Sequence, residues 1–136
     1  MLGGDHAEPA GLRDTLGIAK DEPVRLRHVR LACGAKVLSE ATNWYVPARL
    51  TPAMNTALDG TAAPFGRIAA PLDFRRERLE ARRGALPGCP VPTILSHRAR
   101  LVLPDGRPLA LVTECYTPEN LGVVGIWLRP EREWLS

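Results

Sequence analysis

Two charged side chains stand where strand alternation carries them toward an apolar interior. In LVTECYTP, residues 111–118, Leu111, Val112 and Tyr116 are β-formers and the stretch reads as a strand. Counting by twos, Ala110, Val112, Glu114 and Tyr116 share one face. In VRLRHVRLA, residues 24–32, Arg25, Arg27, Val29 and Leu31 share a face, so a core-facing Val29 and Leu31 carry Arg27 inward. A buried guanidinium is costly unless an anion meets it. Two arrangements satisfy these charges. Arg27 and Glu114 can pair across the sheet as a structural ion pair. Alternatively both line one pocket, where Arg27 holds an anionic ligand through two parallel hydrogen bonds and Glu114 serves as acid or hydrogen-bond donor.

Other chemistries find little support. His6, His28 and His97 lack metal-ligand spacing, so a histidine metal site is not expected. Cys33, Cys89 and Cys115 are odd in number and form no CxxC pair, which argues against a disulfide framework. Cys115 then reads as a packed thiol on the face opposite Glu114, and reduced thiols suit a cytoplasmic protein. Ser39 and Ser96 lie in no GxSxG elbow, and there is no phosphate loop or dinucleotide fingerprint. Residues 75–83 hold five arginines and two glutamates with few aromatics, the pattern of a solvated face and not of a nucleic-acid surface. The net charge of +3 permits anionic ligands without demanding a polyanion.

The elements that must position these residues are partly punctuated. The 136 residues, 45% hydrophobic and 24% charged, suit one soluble domain with a modest core. No apolar run approaches the ~20 residues of a membrane helix, and MLGGDHAEPAG at the start lacks a signal-peptide pattern. Residues 1–10 are expected to be poorly ordered, and 12–19 to form a short helix. Strands over 24–32 and 37–47 flank the turn CGAK. Thr51, Pro52 and Gly60 mark the start and stop of a helix over 51–60. Residues 63–71 form a compact connection, 72–83 a strand or a helix, and 84–92 a Pro/Gly-rich loop. Pro104-Asp105-Gly106 turns a hairpin between 97–103 and 107–117, while the tail from 119 onward is ambiguous. The expected class is α+β, an antiparallel sheet with one or two flanking helices.

LRHVRLACG, NWYVP, PFGR and GRPLALVTECYTP occur in an order that resembles the chorismate lyase family, the 4-hydroxybenzoate-forming enzymes of ubiquinone biosynthesis. That family shows an LRE strand, a hairpin ending in VVP, a TPLGR segment and a GKPLLLTELFLP strand, and the match runs from Val24 to Pro118. The resemblance implies a chorismate lyase/UTRA-like fold with an enclosed cavity, no cofactor, and cleavage of chorismate to 4-hydroxybenzoate and pyruvate, a carbon–oxygen lyase reaction. It assigns the ring carboxylate to Arg27, helped by the main chain of Phe65, Gly66 and Arg67, and departure of the enolpyruvyl group to Glu114. Asn43 stands where the family carries an arginine, and only 23 residues precede Val24, fewer than the family's N-terminal region. The implied partner is a small aromatic or cyclic carboxylate, bound by a monomer.

The same fold family includes the ligand-sensing domains of GntR-type regulators, and LGIAKDEPVRLRHVRL reads like the start of one. On that reading the protein binds a small acid and does no chemistry. A third alternative is an inactive lyase-like remnant.

Overall fold

The computed structural model describes residues 7–119. Strands β1 (Arg25–Cys33), β2 (Lys36–Tyr45), β3 (Arg75–Arg83), β4 (Leu95–Val102) and β5 (Pro108–Tyr116) form an antiparallel sheet in the order β1-β2-β5-β4-β3. Helices α1 (Leu12–Leu16), α2 (Pro52–Gly60) and α3 (Phe65–Ala69) flank it, with 3-10 turns at Pro47–Arg49 and Ala70–Leu72. The α+β class expected from the sequence, an antiparallel sheet with flanking helices, is the class observed. Residues 1–6 and all of the ambiguous tail after Glu119 lie outside the described residues.

Two hairpins meet at the sheet centre. The first turns at Gly34, whose φ of 62° is cheap for glycine alone. The second closes as Asp105 accepts the Arg107 N–H at 2.9 Å and its guanidinium at 2.8 Å. Those two bonds hold the Asp105 carboxyl below its ordinary pKa. Just inside this turn the register shifts between Leu101 and Val102, so the pairing runs Val102↔Pro108 and then Leu101↔Ala110. This bulge decides that Glu114 lies opposite His97.

Segment 72–83, open to either reading in the sequence, is a strand over Arg75–Arg83 at the sheet edge. Alternating charge suits an edge, where charged side chains discourage pairing with another chain. Helix α1 is shorter than expected because Gly17, at φ 61°, ends it. Thr51 caps α2 as expected, its hydroxyl accepting the Met54 N–H at 3.1 Å. The connection 63–71 contains α3 and the start of the second 3-10 turn.

Each face of the sheet has its own core. Tyr45, Leu101, Ala110 and Val112 pack under Met54 and Leu58 of α2 and Phe65 and Ala69 of α3. On the other face, Leu111 and Val46 pack against Leu12 and Leu16 of α1.

The cysteine expectation fails. Cys89 and Cys115 form a disulfide, leaving Cys33 free and exposed. Cys115 does face away from Glu114 by strand alternation, but it is bridged and not a packed thiol. The loop 84–92 folds back over β5 and brings Cys89 to a Cα–Cα distance of 5.7 Å, a long-range closure that no local spacing announces. With two of its three cysteines bridged, the chain does not show the reduced thiols expected of a cytoplasmic protein. Among the described residues, no helix is long and apolar enough to cross a membrane.

Candidate functional site

Glu114 sits on β5, the central strand, with its side chain 1% exposed. Its row across the sheet is Val29, Ala41, Glu114, His97 and Ala81. The next row on the same face is Arg27, Asn43, Val112 and Ala99. Alternation therefore places Arg27 and Glu114 on one face, two strands and two residues apart. Strand spacing and rise put their Cα atoms about 12 Å apart.

They do not pair with each other. Glu114 Oε1 accepts a hydrogen bond from Arg76 Nη2 of β3 at 3.0 Å, and His97 Nδ1 lies 4.0 Å from the same oxygen. The His97 ring meets the Tyr116 ring edge-on, with centroids 5.7 Å apart. The counter-charge for the buried carboxylate thus comes from the opposite edge of the sheet.

Arg27 is held by main-chain oxygens instead. Its Nε donates to the Leu58 carbonyl at 3.3 Å and its Nη2 to the Thr61 carbonyl at 2.9 Å, both at the end of α2. Nη1 is buried and has no hydrogen-bond partner among the described residues. Burial pushes the guanidinium below its ordinary pKa, opposed by attraction to Tyr45. On the same strand, Arg25 ties β1 to α2, its Nη1 donating to both carboxylate oxygens of Asp59 at 3.1 Å, which raises its pKa.

Each of these groups lines a cavity of its own. One is a narrow pocket lined by Val29, Ala41, Asn43, Phe65, Gly66 and Glu114, among others. Its cavity volume is only about 10 Å³. The other is an open cavity of about 420 Å³ lined by Arg27, Leu58, Thr61 and Ala62. Val29 lines both. Phe65 is fixed by its ring against Tyr45, 5.3 Å between centroids. Its N–H and that of Gly66 open α3, where the helix itself supplies no acceptor.

Of the residues singled out in the sequence, Glu114, Phe65 and Gly66 line the narrow pocket and Arg27 the open one. Arg67 is exposed on α3 and lines neither of them. Asn43 lines the narrow pocket and is a neutral amide directly opposite Arg27 in the register of β1 on β2. Arg76 and His97 were missed. The signal for His97 is its place opposite Glu114, which becomes legible only once the bulge is known. Among the described residues no group of three or more His, Cys, Asp and Glu could hold a metal.

No family model matches the chain. Over 146 aligned positions it is 40% identical to the uncharacterized protein y4mC of Sinorhizobium fredii, covering 93% of this chain. The chain spans 62% of the length of that curated relative. Among solved structures it resembles a GntR-family transcriptional regulator from Enterococcus faecalis, with TM-score 0.59 and 11% identity, covering 84% of this chain and 88% of that one. It also resembles the possible transcriptional regulator YydK from Bacillus subtilis, with TM-score 0.55 and 14% identity, covering 84% and 55%. At such identities the likeness is one of fold.

Proposed function

We propose that this protein is a small-acid-binding, sensor-type domain whose ligand carboxylate is held by Arg27. The observation that carries the reading is the buried Nη1 of Arg27, which has no hydrogen-bond partner among the described residues, in a guanidinium already fixed by two carbonyls. An unmade hydrogen bond on a buried donor costs about 1–3 kcal/mol, which an anionic ligand would recover. The ligand's carboxylate sits in the open cavity, and its apolar body reaches past Val29 toward Phe65 and Glu114 once the narrow pocket widens. The likeness to GntR-family regulators supports this reading over catalysis.

Cleavage of chorismate is the second reading. It is favoured by Glu114, Phe65 and Gly66 lining one pocket in the places the lyase resemblance assigns. It asks Glu114 to deliver a proton, whereas the observed Glu114 accepts a hydrogen bond from a guanidinium. The discriminating experiment incubates the purified full chain with chorismate and follows 4-hydroxybenzoate by chromatography, beside calorimetric titration with 4-hydroxybenzoate. The sensor reading predicts binding without turnover. Product formation that falls by roughly 10²–10⁴-fold in Glu114→Gln would establish the lyase instead.

A further inference from the structure

The other face of the sheet carries a trough that this pocket does not use. Helix α1 covers one end of that face through Leu12 and Leu16. Beside it, Thr42 and Trp44 of β2, Arg98 of β4 and Thr113 of β5 floor a depression of about 450 Å³. Residues 7–10 form one wall, and Pro87 and Gly88 the other. The size lies within the range of small-molecule sites.

Its chemistry is specific. Arg98 is oriented by two hydrogen bonds, Nε to the Thr113 hydroxyl at 3.1 Å and Nη2 to the Pro87 carbonyl at 2.9 Å. Its Nη1 makes no hydrogen bond within the described residues. Trp44 is braced against the α1 cluster and still lines the trough. The acid in the wall, Glu8, is taken up by Arg13, 3.0 Å and 3.2 Å between its oxygens and the guanidinium. The wall at Gly88 adjoins the Cys89–Cys115 bridge, which ties the loop to β5. Fixed walls reduce the ordering a ligand must impose.

We propose that this trough is a second ligand site, taking a planar aromatic ring that bears one carboxylate. The carboxylate meets Arg98, the ring lies along the Trp44 indole, and the Thr42 hydroxyl stands within the same floor. Charge-assisted bonds to a pre-oriented guanidinium and contact with an indole are what such a ligand uses best.

The test is a titration of the isotope-labelled full chain with benzoate, followed by nuclear magnetic resonance. The inference predicts saturable shifts at Thr42, the Trp44 indole, Arg98 and Thr113. Arg98→Lys keeps the charge but loses the fork, and should weaken these shifts by about tenfold. Trp44→Phe, which leaves Arg98 and the loop untouched, should weaken them severalfold. Arg27→Ala should leave them unchanged, so this site and the Arg27 site stand or fall separately. Trough resonances that stay still at millimolar benzoate would overturn the inference, as would shifts equally strong in Arg98→Lys and Trp44→Phe.

Discussion

Arg76 lets Glu114 stay buried. The carboxylate lies at the centre of the sheet, where an unpaired charge would be strongly destabilising, and Arg76 reaches it from the edge strand. Removing one partner of a buried pair leaves the other uncompensated. Arg76→Ala should therefore lower the unfolding free energy by about 3 kcal/mol in urea denaturation. Arg75→Ala, on a side chain 63% exposed beside Glu77, should change it by less than about 0.5 kcal/mol. Equal effects from the two would remove Arg76 from its role. Glu114 was legible in the sequence because period-two alternation needs no knowledge of the partner strand. Arg76 was not, because it sits in a run of arginines whose members look alike until the register of β3 on β4 tells them apart. The direct Arg27–Glu114 pair was equally consistent with alternation, and only the order of the strands shows that another strand lies between them.

At the scale of elements, the end of α2 supports the candidate site, because the Leu58 and Thr61 carbonyls hold Arg27. The Thr51 cap at the start of that helix should contribute about 1 kcal/mol, so Thr51→Ala should lower the melting temperature while Thr51→Ser retains most of it. The loop 84–92 is tied down twice. Leu86 is buried and donates its N–H to the Ser96 hydroxyl at 2.9 Å, and Cys89 is bridged to Cys115. A bridge closing a sequence separation of 26 residues stabilises on the order of 3 kcal/mol. Cys89→Ser, or a dithiol reductant on the wild type, should lose about that much in denaturant melts. Hydrogen exchange should quicken beyond Cys89 and hold near Leu86, and an unchanged melt on reduction would contradict the bridge's role. In the second hairpin, the lowered Asp105 pKa contributes stability that is present above the ordinary carboxylate range and lost as pH falls through the lowered value. Asp105→Asn should abolish that increment of acid dependence in pH-dependent melts. Turns and caps were readable because Gly, Pro, Asp and Thr impose local geometry. The bulge and the bridge were not, since both follow from contacts distant in sequence.

The whole molecule is a sheet used on both faces, with α2 and α3 over the Arg27–Glu114 side and α1 over part of the other. That two-faced burial suits a chain with so many strand charges: Arg27, Arg76, Arg98 and Arg100 each reach a named acceptor. Arg100 on β4 meets Glu77 on β3, and Arg82 meets Glu80, so both glutamates of the basic strand are paired. The fold class was legible because hairpin signals and one capped helix suffice to define α+β. The binding role was less so, because the same face and the same arginine serve a sensor and a lyase alike. The central claim is that Arg27 captures a ligand carboxylate. Its most direct measurement is calorimetric titration of the full chain with 4-hydroxybenzoate, for wild type and Arg27→Ala. Loss of the charge-assisted contact should weaken binding at the Arg27 site by roughly 10- to 150-fold, while the fold stays intact by circular dichroism. Binding at full strength and unchanged stoichiometry in Arg27→Ala would contradict it.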